Sequence, residues 1–290
     1  CTLLNTNAIT LGNVVAFVEY LFHVMMSVLI FCMVFMMYPR ANVSAKRIME
    51  VLDTKPSIVN DKDCIQLDSI QTLSFKDVSF SYANGEEAVL KDIDFSCHKG
   101  QKIAVIGSTG SGKSTLVKLM NRFYDVSRGM IEINGVDIRK YDLESLRAQI
   151  GYVAQKAHMF KGSIQSNICF GKPEASDEEM VHAATVAQAS DFISKREHGY
   201  LDEIAEDGTN ISGGQKQRLS IARVILKKPS LYIYDDSFSA LDFKTDATLR
   251  KALKPEVKDA IFFVVAQRIS TIMDSDMIIV LDEGQIIGTC

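Results

Sequence analysis

A long apolar stretch dominates the hydrophobic pattern at the start of the chain. Only Glu19, His23 and Ser27 interrupt the apolar residues between Val14 and Tyr38. A helix of this length spans about 37 Å, which exceeds the roughly 30 Å hydrocarbon core of a bilayer. The pattern therefore predicts one tilted transmembrane helix over residues 14–38.

The basic residues around this span are distributed asymmetrically. No Lys or Arg precedes it, whereas Arg40, Lys46 and Arg47 follow it. The positive-inside rule then places the C-terminal side of the span in the cytoplasm. A cleaved signal peptide is disfavoured, because no basic region precedes the apolar run and the run is longer than a typical signal core.

Two features inside the span have both a functional and an ordinary interpretation. Glu19 and His23 lie four residues apart on one helical face, and ionisable groups in a membrane helix are functional candidates. Their position in the outer third of the span favours simple contact with water or lipid headgroups. Five methionines between residues 25 and 37 could line an adaptable pocket for apolar substrates, although methionines more often face lipid or neighbouring helices. Sequence alone leaves these alternatives open.

The composition of the chain changes after the span. Residues 41–52 keep a helical pattern that Pro56 ends, and a polar stretch follows. We therefore expect the end of a membrane domain at residues 1–56, a linker at 57–72 and a second domain at 73–290. Both ends of the sequence look cut, so a longer polypeptide is expected.

In the second domain, short apolar strands alternate with helical stretches. Strand patterns occur at 75–82, 103–106, 150–153, 231–234, 261–266 and 277–281, and helical patterns occur at 116–120, 143–149, 177–193 and 221–226. The dipeptides at 84–85 and 134–135 are both Asn-Gly, a strong turn signal. Strands interleaved with helices predict an α/β core.

The overall composition is that of a globular chain with an uneven apolar excess. Hydrophobic residues make up 47% of the 290 positions, charged residues 23%, and the net charge is −4. Since no basic stripe is visible, we expect no nucleic-acid partner. Six cysteines are scattered without a C-x-x-C pair, which favours reduced thiols in a cytosolic domain over a zinc site or a disulfide framework.

The sequence GSTGSGKST, residues 107–115, is the strongest chemical signal. It fits the pattern G-x-x-x-x-G-K-[ST], with an apolar strand before it and a helical pattern after it. Glycines let backbone N–H groups surround phosphate oxygens, and the helix N-terminus adds positive potential. Lys113 is expected to reach the outer phosphates, and Ser114 is expected to bind Mg²⁺.

Two later stretches add to this signal. The apolar strand at 231–234 runs into Asp235, an acid that could reach the Mg²⁺ held by Ser114. The sequence ISGGQKQR, residues 211–218, places a serine and two glycines at the start of a helix, which is a second anion site of backbone N–H groups. A monomeric kinase or GTPase has no use for two such sites.

Together these motifs resemble one half of an ATP-binding cassette (ABC) exporter, and the resemblance extends over essentially the whole chain. It implies an α/β P-loop nucleotide-binding domain with a RecA-like core, an antiparallel β subdomain and an α-helical signature subdomain. One transmembrane helix, the last of an all-α exporter membrane domain, would precede it. The implied ligands are ATP and Mg²⁺, and the final helices of the nucleotide-binding domain are expected to be missing.

The resemblance also implies roles for individual residues. The nucleotide-binding residues would be Tyr82, Gly107, Ser108, Thr109, Gly110, Ser111, Gly112, Lys113, Ser114, Thr115, Ser212, Gly213, Gly214 and Gln215. The Mg²⁺ ligands would be Ser114, Gln155 and Asp235, and the catalytic positions would be Asp236, Gln267 and Gln155. In that family two domains meet head to tail. Each ATP then lies between the Walker A loop of one domain, here residues 107–115, and the signature segment of the other, here residues 212–215.

Two positions depart from the family pattern where the chemistry takes place. The family has a glutamate after the Mg²⁺-binding acid, as the base that polarises water, and this chain has Asp236. Where the family has a histidine against the γ-phosphate, this chain has Gln267, which can carry neither a proton nor a charge. With its signature nearly intact, the chain is predicted to be the degenerate-site half of a heterodimer.

The resemblance implies that the partners are a second half-transporter with an intact Glu and His, the lipid bilayer, and a small-molecule, lipid or peptide substrate that the sequence does not identify. The location would be integral to the plasma or inner membrane, with the nucleotide-binding domain in the cytoplasm. Two alternatives stay open: a soluble cassette ATPase, and an ATP-gated regulatory half without its own hydrolysis. A soluble importer motor or a chromosome-organising ATPase would not be fused to the span at residues 14–38.

Overall fold

The computed structural model describes residues 10–83, 85, 87–266 and 272–290. Contacts between Cα atoms divide the chain into two compact units, Cys1–Ser57 and Ile58–Cys290.

The first unit is built on one long helix, α1, Leu11–Leu52. It includes the whole predicted span and continues through Pro39 into the helical stretch predicted at residues 41–52. No residue of α1 is buried within the chain, and its apolar side chains point in all directions. Among the described residues, it is the one helix with the length and composition to cross a membrane. An all-round apolar helix of this kind fits lipid or neighbouring helices as its surroundings.

The second unit contains all of the described strands. In chain order they are β1 Thr72–Phe80, β2 Leu90–His98, β3 Lys102–Ile106, β4 Arg128–Ile133, β5 Val136–Asp137, β6 Ile150–Val153, β7 Gly162–Ser163, β8 Glu203–Ile204, β9 Leu231–Asp235, β10 Ile261–Val265, β11 Met277–Asp282 and β12 Gln285–Thr289. The helices of this unit are α2 Lys113–Met120, α3 Leu143–Ala148, α4 Ile164–Ile168, α5 Asp177–Val186, α6 Ser190–Ile193, α7 Gly213–Lys227 and α8 Phe243–Glu256. The predicted α/β class is confirmed.

A six-stranded sheet in the order β12-β11-β3-β10-β9-β6 forms the centre of the unit. Its strands pair in parallel, apart from the antiparallel edge strand β12. The register places Val265 of β10 beside Val105 of β3 on one side and beside Asp235 of β9 on the other. Parallel pairing therefore brings the loop after β3 and the acids at the end of β9 to the same edge of the sheet.

Both faces of the central sheet are buried, which explains why its strands have continuous apolar sequences. In β9, Leu231 and Ile233 pack into one hydrophobic cluster, while Tyr232 and Tyr234 pack into the other. The helices α4, α5, α6 and α7 contribute to the second of these clusters.

A second sheet, in the order β2-β1-β4-β5, is antiparallel, as expected for the β subdomain. The turn predicted at 134–135 joins β4 to β5, with φ angles of 52° at Asn134 and 77° at Gly135. Two successive positive φ angles are typical of the turn that matches strand twist in a hairpin.

The stretch predicted as a linker packs against the second unit over much of its length. Leu67 and Ile70 are buried in its core, and Ile65 forms a bridge with Tyr141. The side chain of Asn60 accepts a hydrogen bond from the backbone of Leu143 at 2.9 Å. Apolar residues inside a polar stretch thus extend the folded unit back to about residue 58.

Candidate functional site

The phosphate loop lies between β3 and α2, as the sequence predicts. Gly112, the residue before α2, has a φ of 102°, and a Cβ added there would lie 2.6 Å from Cδ2 of Leu90. Gly110 also has a positive φ, 87°, but faces open space. Glycine is therefore required at position 112 by both backbone conformation and packing, and at position 110 by conformation alone.

The Lys113 ammonium group lies against this loop. It donates hydrogen bonds to the backbone oxygens of Gly107 at 2.8 Å and Ser108 at 2.5 Å, and to Oγ of Ser111 at 3.3 Å. Burial lowers the pKa of Lys113, while the carboxylates of Asp236 and Asp235 act in the opposite direction. The loop thus holds a positive charge among its own carbonyl groups, at the place where the motif predicts phosphate oxygens.

Asp235 lies at the end of β9, beside this lysine. Its Oδ1 accepts a hydrogen bond from Oγ of Ser114 and its Oδ2 accepts one from Oη of Tyr152, both at 3.4 Å. The pKa of Asp235 is raised, mainly because the carboxyl group is buried and also because Asp236 carries a like charge. The hydrogen bonds from Ser114 and Tyr152 act in the opposite direction and lower this pKa. A buried carboxylate next to a second carboxylate is stabilised by a cation.

The donor set here fits Mg²⁺. Magnesium binds through one or two protein carboxylates together with hydroxyl groups, water and substrate phosphates, and it does not need an all-protein cage. Ser114 and Asp235 supply the hydroxyl and the carboxylate. In the part of the chain that the structure describes, no group of three or more His, Cys, Asp or Glu residues could form such a cage.

Asp236, the next residue, is held in an unusual conformation. Its φ is 48°, its N–H donates to the backbone oxygen of Val265 at 3.0 Å, and it is 9% exposed. Its Oδ2 accepts a hydrogen bond from Nε2 of Gln155 at 3.2 Å. Left-handed backbone at a residue other than glycine costs about 1–3 kcal/mol and is concentrated at functional sites.

These residues line one cavity of about 220 Å³. The lining residues are Val89, Thr109, Gly110, Gly112, Lys113, Ser114, Thr115, Gln155, Asp235, Asp236 and Val265. The structure therefore brings six of the nine predicted residues of the loop at 107–115 together with Asp235, Asp236 and Gln155. Gly107, Ser108, Ser111 and Tyr82 are not among the lining residues. Gln267, the other predicted catalytic position, lies outside the described residues.

Tyr82, the predicted adenine platform, is part of an aromatic group beside α2. Its Oη lies 3.1 Å from Oγ1 of Thr115, and its ring contacts the rings of Tyr124 and Phe80 edge-on at centroid distances of 5.2 and 4.9 Å. Nζ of Lys118 lies 5.9 Å from the Tyr82 ring centroid, within the range of a cation–π contact. The neighbours of Tyr82 were not predicted, because only Phe80 is close to it in sequence.

The signature segment, residues 212–215, begins α7. Ser212 is the N-cap: its Oγ accepts a hydrogen bond from the N–H of Gln215 at 3.3 Å, and the Gln215 side chain accepts one from the N–H of Ser212 at 3.0 Å. A Cβ at Gly214 would lie 3.3 Å from the backbone oxygen of Ala240. None of residues 212–215 is among the described residues that line the 220 Å³ cavity.

Gln217 connects α7 to the segment that carries Gln155. It is buried, and its Nε2 donates to the backbone oxygen of Ala154 at 3.1 Å. Gln217 was not predicted as a site residue. The signal that could have identified it is an amide side chain on an otherwise apolar face of a helix, because such a group needs a hydrogen-bond partner when it is buried. The bond links the helix of the signature segment to the nucleotide cavity through the residue next to Gln155.

Several known proteins are similar to this chain in sequence or in fold. A family profile described as ABC transporter matches residues 90–239. An uncharacterized ABC transporter ATP-binding protein of Mycobacterium tuberculosis is 38% identical to this chain, over 99% of the chain and 50% of its own length. A Bacillus subtilis protein, provisionally named a multidrug export ATP-binding/permease protein, is 40% identical over 96% of this chain and 48% of its own length.

A solved structure is similar in fold. It is described as a bacterial Atm1-family ABC exporter with ATP bound, and it matches with a TM-score of 0.82 and 33% sequence identity. The match covers 87% of this chain and 44% of the other. The chain thus spans about half the length of the curated relatives it matches.

Proposed function

The chain belongs to the ABC transporter family, and on that premise we propose that it is the ATP-binding part of an exporter half-transporter. It would couple ATP binding and hydrolysis to the movement of a substrate across a membrane. The observation that carries the proposal is the cavity that joins Lys113, Ser114 and Asp235 at the edge of the central sheet. Helix α1 supports the assignment to an exporter, because a span and a nucleotide-binding unit in one chain are unusual for a soluble cassette ATPase.

The polar residues of the cavity have separate tasks in this proposal. The loop N–H groups and Lys113 would bind the phosphates of ATP, and the ring of Tyr82, which is not among the lining residues, would support adenine. Ser114, Asp235 and Gln155 would hold Mg²⁺, which when bound would neutralise the charge that develops on the phosphates. Asp236 orients the attacking water and accepts its proton.

Hydrolysis in this chain's own cavity is proposed to be slow. An aspartate at position 236 holds its carboxylate about 1.5 Å further back than a glutamate would, since it lacks one methylene group. A misplacement of about 1 Å in a reacting group can lower the rate on the order of 100-fold. Gln155 also donates a hydrogen bond to this carboxylate. That bond occupies Oδ2, one of the two oxygens that could accept the proton of the water.

The signature segment is proposed to act on a different ATP molecule. Its residues do not line the chain's own cavity, yet Gly213 and Gly214 present backbone N–H groups at the start of the 15-residue helix α7. A second half-transporter with an intact Glu and His would supply the Walker A loop that faces them. This chain would then complete the active site of its partner.

The membrane location is part of the same proposal. Helix α1 would cross the plasma or inner membrane, with the second unit in the cytoplasm, where ATP is available. Arg40, Lys46 and Arg47 follow the apolar part of α1 and favour this orientation. The substrate is not assigned.

ATPase measurements on the assembled transporter test the proposal. The full-length half is co-expressed with its partner half, and turnover is compared for wild type, Lys113→Ala, Ser212→Ala and the pair Asp236→Glu with Gln267→His. We expect Ser212→Ala to abolish most turnover, while the restored pair changes it only modestly. If Ser212 is dispensable and Lys113 is required instead, this chain's own site is the working one and the degenerate-site proposal is wrong.

An ATP-gated regulatory half without its own hydrolysis is the second candidate, and the observation that favours it is Asp236 at the position of the base. The two functions differ in transport. If substrate movement stops when ATP is replaced by a non-hydrolysable analogue, the gating function is excluded. Sustained substrate flux with that analogue would exclude the exporter.

A further inference from the structure

A second cavity, of about 290 Å³, lies in the second unit and shares no lining residue with the nucleotide cavity. It is bounded by α8, by the N-terminal ends of β3 and β10, and by residues 274 and 276 just before β11. Nothing in the proposed nucleotide chemistry uses it.

The floor of this cavity is apolar. Phe238, Leu253 and Phe262 are among its lining residues, and each is at least nine-tenths buried. Val257 adds a partly buried aliphatic wall. Such a surface favours a hydrocarbon or aromatic group over water, by about 25 cal/mol for each Å² of apolar area that is covered.

The rim of the cavity is basic. Lys254 and Lys258 are exposed lining residues, and within the described ranges no hydrogen bond or ion pair is found for either side chain. Among the described residues, the lining also contains two carboxylates, Asp274 and Asp276, against four basic side chains. The excess of two positive charges leaves a positive potential over the opening.

The other two basic lining residues each have an acidic neighbour. Nζ of Lys102 lies 3.7 Å from Oδ1 of Asp274, and Nε of Arg250 donates to Oδ1 of Asp246 at 3.0 Å. Burial lowers the pKa of Lys102; Asp274 raises it, whereas the charges of Arg250 and Lys254 lower it further. Burial is the largest of these effects, and Asp274 and Arg250 act on Lys102 in opposite directions.

The shape, the floor and the rim together define a ligand class. The volume is at the small end of ligand cavities, which fits a molecule of one or two rings. The floor requires an apolar body, and the rim requires a single negative group. We propose that this cavity binds a small amphipathic anion, such as an aryl carboxylate, sulfonate or phosphate, with its ring on Phe238 and Phe262 and its anionic group at Lys254 and Lys258.

Binding of a probe pair tests the proposal. The full chain in lipid nanodiscs is titrated with naphthalene-2-sulfonate or with the neutral naphthalen-2-ylmethanol, and binding is followed by saturation-transfer NMR against empty nanodiscs. We expect saturable binding of the sulfonate with a Kd of about 1 mM or below. The neutral probe is expected to bind at least about fivefold more weakly, because it gains nothing from the rim.

Matched charge reversals locate the site. Lys254→Glu with Lys258→Glu is expected to raise the Kd of the sulfonate about tenfold, through loss of two attractions and gain of two repulsions. The control variant carries Lys244→Glu and Lys251→Glu, two substitutions in α8 that change the net charge by the same amount as the first pair. Both residues are exposed, and neither lines the cavity. This control is expected to change the Kd less than twofold.

Three results would overturn the proposal. Binding that does not saturate would mean partition into lipid rather than a site. Loss of binding on addition of saturating Mg-ATP would mean that the probe occupies the nucleotide cavity. An equal effect of the two charge reversals would mean that general electrostatic attraction, and not this cavity, holds the sulfonate.

Discussion

The side-chain amide of Gln155 donates a hydrogen bond of 3.2 Å to Oδ2 of Asp236. The two residues belong to different segments, one following β6 and the other following β9, and parallel pairing of these strands brings them together. The bond fixes the orientation of the carboxylate that the proposed function uses as a base. It also connects the proposed Mg²⁺ ligand Gln155 directly to that base.

Lengthening the carboxylate at position 236 tests whether its reach limits hydrolysis. In the assembled transporter, we expect Asp236→Glu to raise the single-turnover rate in this chain's cavity by about tenfold, because the carboxylate moves toward the water. The measurement is release of labelled phosphate from ATP preloaded in that cavity. Asp236→Asn serves as the control and should lower the slow wild-type rate further, because an amide cannot accept the proton of the water. An unchanged rate in Asp236→Asn would show that Asp236 does not act as the base.

The ring of Tyr82 and its hydroxyl group should contribute differently to ATP binding. Removing the ring in Tyr82→Ala is expected to raise the Kd of ATP by about 5- to 150-fold, since base–aromatic stacking contributes about 1–3 kcal/mol. Tyr82→Phe keeps the ring and loses only the contact of Oη with Thr115, so a change of about twofold is expected. Isothermal titration with ATP measures both values. Equal losses in the two variants would mean that the hydroxyl contact, and not stacking, holds the nucleotide.

Two capping boxes of the same design separate stability from function at the signature segment. Ser212 with Gln215 caps α7, and Ser176 with Glu179 caps α5. Changing either serine to alanine is expected to cost about 1 kcal/mol of stability, measured as unfolding in denaturant. Only Ser212→Ala should abolish turnover of the assembled transporter. Comparable ATPase losses in Ser176→Ala would show that helix stability alone explains the effect.

Two glycines of the phosphate loop should respond differently to alanine. Both have positive φ angles, so each substitution carries backbone strain of about 1–3 kcal/mol. At Gly112 the new Cβ would also clash with Leu90, whereas at Gly110 it meets open space. We expect Gly112→Ala to be less stable than Gly110→Ala by at least about 1 kcal/mol. Calorimetric unfolding of the two chains without nucleotide measures the difference, and equal stabilities would contradict the packing argument.

The phosphate loop, the acid after β9 and the Asn134-Gly135 hairpin could be predicted because their signals are local. Each depends on residues within one loop or at one strand end, where backbone conformation restricts the residue types. Helix α8 is harder to recognise, since Leu249 and Leu253 are its only buried apolar residues among those described. Its apolar pattern is too sparse for helical periodicity to stand out.

Contacts between distant segments were not predictable in the same way. Tyr152 donates to Asp235, and Gln217 donates to Ala154, across 83 and 63 residues of sequence. The sequence around a tyrosine or a glutamine does not identify its hydrogen-bond partner, because that partner depends on how the strands and helices pack. Leu67 and Ile70 are a similar case, since their burial depends on the unit against which they fold.

The sequence alone predicted the type of chemistry: a phosphate loop, an acid proposed to bind Mg²⁺ and a second helix start proposed to bind an anion, with a long apolar helix before them. The arrangement of the site needed the folded chain. Parallel pairing of β3, β10 and β9 places the loop next to both acids, and left-handed backbone at Asp236 directs its carboxylate to Gln155. The physical reason is that motif chemistry is set by neighbouring residues, whereas side-chain partners and cavities arise from contacts between segments that only packing brings together.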